Sequence, residues 1–390
     1  MATTQDFLRS ASRTAHYYGF SSVDTLREHP SCKNATTSVA HHASAQNRKD
    51  DSLYGLLTAG ITHYFDHKLN AIQGPSLFYT IDKVPRAGDI AVSFNVVNVQ
   101  KSIAEALLIQ TIRSFLADIR YTHTSVRINS LGDTESIARY SRDLTNFLRK
   151  RIEDIPPTAR ELMKQHPCLA YMHLLEKNHE LCEKAPNTHE YLSDSSRKHF
   201  REIVEYLDMS QTPFEIDTRL MGHHECYSDT LFAVDILDEN FNKYGDASPV
   251  LARGGRYDAF VTRMSKERIP ATGAVVILKN KKAPDEIVTP RSRKTPNVYF
   301  AHLGFGPKVR SLLLIEEMRK VGIQVHQNII SDSLSEQLRR ADSLKAEYAV
   351  ILGHKEYMEN SIIIRNLREQ SQECVPIQSL IPYLKKVATV

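Results

Sequence analysis

The period of the apolar residues changes several times along the chain, and those changes divide it. SIAEALLIQTIRSFLADI (102–119) repeats at helical spacing, with Ser102 and Glu105 in the positions of a capping box. SVRINSL (125–131) alternates like a strand, and ESIARYSRDLTNFLRK (135–150) returns to a helical period. Residues 151–207 are polar and mostly helical in pattern, and are broken at IPP (155–157), HP (166–167) and AP (185–186). They predict an inserted helical module. Strand signals return at PFEIDTRL (213–220) and DTLFAVDIL (229–237).

The stretch NKKAPDEIVTPRSRKTP (280–296) is charged and proline-rich, with little to bury, and marks a linker at 286–296. Beyond it, strand and helix patterns alternate. VYFAHL (298–303), IQVHQNI (323–329), YAVILG (348–353) and SIIIRNL (361–367) read as strands. PKVRSLLLIEEMRKVG (307–322) reads as a helix with Val309, Leu312, Leu313, Met318 and Val321 on one side and Gly322 as its stop. Ser333 and Glu336 suggest a second capping box, and SLIPYLKKV a short final helix interrupted at Pro382. Such alternation implies a small α/β domain with a mixed sheet.

Composition adds mainly exclusions. The 390 residues carry a net charge of +4, which permits contact with nucleic acid without arguing for it. The 5 cysteines, at 32, 168, 182, 226 and 374, contain no C-x-x-C, so neither a disulfide framework nor a structural zinc site is expected. His223, His224 and Glu225 suggest a metal set only superficially, because adjacent residues on a strand point to opposite faces. His41 and His42 lie in a polar loop, and no metal site is predicted. The opening MATTQDFLRS lacks an apolar core of the secretory kind, and no segment has the ~20 apolar residues of a membrane span. A cytoplasmic protein without a membrane partner is expected.

GGRYDAF (254–260) follows a strand pattern and is expected to precede a loop; its glycines permit a close backbone approach. This segment resembles the histidine-binding G-G-R-Y-D-G-L of the histidyl-tRNA synthetases. INSLGD (128–133) is similar to that family's I-N-S-L-G strand end. Residues 185–220 resemble its insertion and return to the core, and KVGIQV (320–325), SLSEQLRRADSL (333–344), YAVILGHKE (348–356) and IRNL (364–367) resemble its anticodon-binding domain. The order is the family's order. The resemblance implies an α+β class II synthetase core (an antiparallel sheet with helices), a helical insertion and a C-terminal α/β anticodon-binding-like domain. The implied domains are the core at 1–150 and 208–285, the insertion at 151–207 and the C-terminal domain at 297–390. It further implies a homodimer and a tRNA partner.

Forming an aminoacyl-adenylate requires charged groups that hold a polyanion and an amine. Several positions matching the family's charged motifs hold other residues. LTAGIT (57–62) stands for L-R-P-E-G-T, keeping Thr62 but placing Gly60 at the glutamate. In FYTIDKVPRAGDIAVSFNVVNVQ (78–100), Asp82 falls where motif 2 has its phosphate-binding arginine, with Arg86 nearby as a shifted substitute. MGHHECYSD (221–229) stands for R-G-L-D-Y-Y. There Gly222 replaces the arginine, Glu225 the aspartate and Cys226 the first tyrosine, while Tyr227 matches the second. PATGAVVILKNKK (270–282) has Lys279 and Asn280 for the Glu-Arg of motif 3, and Leu26 replaces the motif 1 proline.

Thr62, Glu225, Tyr227, Gly254, Gly255, Arg256 and Tyr257 are therefore expected as remnants of a pocket, with Arg256 and Tyr257 either lining it or packing the core. No catalytic residue is assigned. Arg339, Arg340 and Lys345 form either a solvated helix face or an RNA contact. The expectation is a synthetase-like protein that binds RNA or regulates a partner, without a cofactor. Two alternatives remain open: an active, divergent histidine–tRNA ligase using ATP and Mg, and a regulatory subunit of ATP phosphoribosyltransferase.

Overall fold

The computed structural model describes residues 3–23, 52–66, 74–84, 88–223, 226–237, 250–282 and 296–387. Leu26, His41, His42, Arg86, His224, Glu225 and nearly all of the expected linker lie outside them.

Among the described residues, the first part begins with helix α1 (Thr4–Tyr17), strand β1 (Ser21–Ser22), α2 (Ser52–Asp66), the hairpin β2 (Ser76–Lys83) and β3 (Asp89–Val97), and α3 (Ile103–Asp118). Next come β4 (Thr124–Ser130), α4 (Thr134–Arg149), α5 (Pro157–Gln165), α6 (Pro167–Glu176) and α7 (Asp194–Met209). β5 (Phe214–Ile216), β6 (Ser228–Ile236), β7 (Val250–Arg256), α8 (Asp258–Ser265) and β8 (Ala271–Lys282) complete it. The strands form one sheet in the order β1-β2-β3-β8-β7-β6-β4-β5, antiparallel except where β1 joins β2 and β5 joins β4.

Alternation along the strands gives the sheet two apolar faces, which is why these strands read as nearly continuous apolar runs. Phe94, Phe232, Ala274 and Val276 pack with α1, α3 and α7 on one face. Phe78, Leu231, Val275 and Ile277 pack with α2, α4 and α8 on the other.

Several expectations change in three dimensions. Ser102 has a helical backbone (φ −57°, ψ −18°) and makes no cap; its hydroxyl donates to Glu202 instead. Glu105 is wholly buried and paired elsewhere. Within the expected insertion, α5 and α6 pack near α4, but α7 belongs to the main core. Its Phe200, Ile203 and Leu207 recur at helical spacing and are buried with α3, which the sequence boundary at 207 missed. GGRYD runs directly into α8 rather than into a loop.

The C-terminal part comprises β9 (Val298–His302), α9 (Phe305–Lys320), β10 (Val325–Gln327), α10 (Leu334–Ser343), β11 (Tyr348–Leu352), α11 (His354–Met358), β12 (Ser361–Asn366), β13 (Ser371–Pro376) and α12 (Leu380–Val387). Its mixed sheet runs β10-β9-β11-β12-β13, with β10, β9 and β11 parallel. On α9, Leu314 and Ile315 are buried, while Val321, expected on that face, is 41% exposed. Gly322 takes the left-handed backbone that ends the helix (φ +83°). Ser333 caps α10 by accepting from the Glu336 amide, while the Glu336 carboxylate accepts from Ser331. Pro382 lies in the first turn of α12, where it needs no amide partner, and does not interrupt it. β13 is mostly exposed and polar, so no apolar alternation announced it.

This domain docks on α1 and α3. Tyr17 donates to the carbonyls of Ile315 and Ile323, each at 3.0 Å, and Tyr18 donates to Glu316 at 2.7 Å. Arg319 bridges Asp118 (2.8 Å) and Glu316 (2.6 Å).

Candidate functional site

The site expected from the sequence falls on the sheet face beneath α2. Strand register sets Thr80 opposite Ser93, Phe78 opposite Asn95, Asn95 opposite Gly273, and Gly273 opposite Gly255. Gly60 of α2 lies above this row; a Cβ added there would meet Asn95 Nδ2 and Ser93 Oγ, both at 3.5 Å. Thr80 and Ser93 share a hydrogen bond of 2.7 Å, and the Tyr257 hydroxyl donates to Asn95 Oδ1 at 2.7 Å. Burial holds the Tyr257 hydroxyl far above its ordinary pKa. These four partners are neutral, so they orient one another without supplying charge to an ammonium or a phosphate.

Arg256 takes the packing alternative. It is wholly buried, and its Nε and Nη2 donate to the two carboxylate oxygens of Glu105 at 2.7 and 3.2 Å. Its Nη1 donates to the Val99 carbonyl (3.2 Å) and to Asp258 (3.3 Å). His199 Nε2 lies 3.0 Å from Glu105 Oε1. Burial alone would raise the Glu105 pKa, but Arg256 and His199 outweigh it and hold the carboxyl down at about 2. Burial would lower His199, yet Glu105 lifts it above its ordinary value.

The glycines before Arg256 answer to close packing. A Cβ on Gly254 would stand 2.5 Å from Ala274 Cβ, and one on Gly255 would stand 2.4 Å from the Thr230 carbonyl oxygen. Thus GGR joins β6, β7, β8 and α3, while Tyr257 alone of its residues donates to the neutral row.

The remaining expected residues scatter. Thr62 donates back to the Thr58 carbonyl at 2.7 Å and lies 3.5 Å from Met264 Sδ. Tyr227 is buried against Gly222: a Cβ on Gly222 would stand only 2.4 Å from Tyr227 Cδ2 and 2.9 Å from Leu231 Cδ2. Tyr227 therefore fills the space that a side chain at 222 would need. Asp82 pairs in register with Ala91, two residue pairs beyond Thr80.

Arg339, Arg340 and Lys345 are exposed on and just after α10. Arg340 also lines a cleft of about 340 Å³ between the start of β2 and the C-terminal domain. Among the described residues, no group of three or more His, Cys, Asp or Glu is arranged to hold a metal ion, and no helix is long and apolar enough to cross a membrane.

Sequence reasoning missed Ser93 and Asn95, although both interrupt the apolar run AVSFNVV at two-residue spacing. It also missed Glu105 and His199, whose meeting with Arg256 no local pattern encodes.

A profile of the anticodon binding domain matches residues 311–387. The chain is 26% identical over 289 residues to a histidine–tRNA ligase of Halalkalibacterium halodurans, covering 72% of this chain but 65% of that relative, just under two thirds of its length. It is 26% identical over 340 residues to a histidine–tRNA ligase of Dehalococcoides mccartyi, covering 83% of this chain and 78% of the relative. The crystal structure of apo Staphylococcus aureus histidyl-tRNA synthetase superposes with a TM-score of 0.51 at 16% identity, over 96% of this chain and 93% of that one, and so shares its fold.

Proposed function

Since the chain belongs to the histidyl-tRNA synthetase family, we propose that it has kept the family's scaffold without adenylate-forming chemistry and works as an RNA-binding or regulatory protein. The observation that carries this reading is the packing at Gly222. The position matching the family's catalytic arginine holds a glycine, and the Tyr227 ring occupies the adjoining space. The second support is Gly60, which sets a bare helix face over Ser93 and Asn95 where the resemblance calls for a carboxylate. Removing one preorganised charge partner typically costs about 10²–10³ in rate, and the losses here fall on both the amine and the phosphates. The exposed Arg339, Arg340 and Lys345 supply a basic strip for an RNA backbone on a domain whose pattern is intact.

Histidine-dependent ATP–pyrophosphate exchange tests the catalytic half. Exchange no greater than that without histidine is expected, and clear exchange would return the chain to the active ligases. Salt-dependent binding of tRNA, weakened by replacing Arg339 and Arg340 together, tests the binding half. Co-purification with a transferase subunit and no RNA affinity would favour the regulatory role over the RNA-binding one.

A further inference from the structure

A second polar cleft adjoins the buried Arg256–Glu105 pair through His199 and Asp258, and neither Gly60 nor Asn95 lines it. It has a volume of about 630 Å³ and lies among the starts of α4, α7, α8, β6 and β8. Buried Ser228, half-buried Asp229 and Asp258, and exposed Arg268 are among the residues that line it.

The first three of these groups have unused capacity. Ser228 is 4% exposed, and its hydroxyl has no hydrogen-bond partner. One Asp229 carboxylate oxygen accepts from Ser196 at 2.6 Å. Asp258 accepts from the Ala271 amide at 2.7 Å, but its contacts with the Arg256 guanidinium are long, at 3.3 and 3.4 Å. That guanidinium makes its shortest bond, at 2.7 Å, to Glu105. Burial, aided by Glu105 and Asp229, holds the Asp258 pKa above its ordinary value against the pull of Arg256. Asp133, Asp229 and Asp258 thus line the cleft with His199, Arg263 and Arg268, and Asp258 is only partly balanced by its long contacts with Arg256.

We propose that this cleft binds the primary ammonium of an amino-acid-sized zwitterion, with Ser228, Asp229 and Asp258 as its three acceptors and Arg268 receiving the carboxylate. An ammonium has three donors and matches such a triad. The volume lies within the ordinary range of small-ligand sites. The assignment stands whether or not the chain forms an adenylate, because it uses none of Gly60, Asn95, Gly222 or Tyr227.

Calorimetric titration of the full chain with L-alanine, and with putrescine as an ammonium lacking a carboxylate, tests it. L-alanine is expected to bind saturably below about 50 mM, and putrescine more weakly. Asp229→Asn keeps the size of the side chain and suits a residue already at φ +49°, and should weaken alanine binding about tenfold or more. Ser228→Ala should weaken it about 2- to 10-fold without lowering the melting temperature, since it deletes a buried hydroxyl that has no partner in the free protein. A purely structural serine would not separate those two readouts. Absence of saturable binding by either compound, or undiminished alanine binding in a folded Asp229→Asn variant, overturns the proposal. Putrescine binding as tightly as alanine overturns the role of Arg268.

Discussion

Replacing Glu105 by glutamine keeps its shape and removes its charge from the centre of the buried network. Arg256 would then keep one acceptor where it had a carboxylate, and its guanidinium would remain buried without its main counter-charge. The structure sets the scale of the loss. A tenfold change in proton affinity corresponds to about 1.36 kcal/mol, so a carboxyl held at about 2 rather than its ordinary 4.5 reflects roughly 3 kcal/mol of stabilisation. That agrees with the ~3–5 kcal/mol typical of breaking a buried pair from one side.

The pH dependence has a defined sign. Glu105, with its pKa depressed, contributes fully above about 4.5, and its contribution is lost as pH falls towards 2. His199, with its pKa raised, contributes fully below 6.5, and its contribution is lost as pH rises through its higher folded value. The gap between native and Glu105→Gln protein should therefore be widest between about pH 4.5 and 6.5. Urea unfolding followed by far-ultraviolet circular dichroism suits a chain with no Trp. A loss below about 1 kcal/mol at pH 6, or a gap that widens as pH falls from 4 to 2.5, would show that the network does not hold the core as argued.

Two further outcomes follow from the packing. Gly222→Arg should destabilise the protein by about 1–3 kcal/mol through overpacking against Tyr227 and Leu231, without restoring ATP–pyrophosphate exchange; a variant that gained exchange at unchanged melting temperature would show that the space is available. Arg319→Leu should leave Asp118 and Glu316 without their shared cation, costing about 2–4 kcal/mol at the joint between the two domains. Hydrogen exchange should then lose protection selectively in α9, and unchanged protection there would mean that the joint is held without the Arg319 pairs, by the Tyr17 and Tyr18 hydrogen bonds and apolar contacts.

Much of the fold was legible because it is written locally. The apolar runs of YAVILG and SIIIRNL, and the helical period in residues 135–150, depend only on neighbouring residues, and the strands and helix appear where those patterns predict them. The residues at positions that resemble the family's charged motifs, Gly60 and Gly222 among them, were also readable, because residue identity needs no coordinates. Tertiary structure decided the rest. Arg256 meets Glu105 across 151 residues of sequence, and Tyr257 meets Asn95 across 162. Neither partner could be chosen from a local pattern, because the strand order β3-β8-β7-β6 joins segments distant in the chain. The same register turned Glu105 from an expected helix cap into the counter-charge of a buried arginine. It also placed Tyr227 against Gly222, because a buried side chain takes its position from whatever fills the volume around it, and that volume exists only once the sheet has formed.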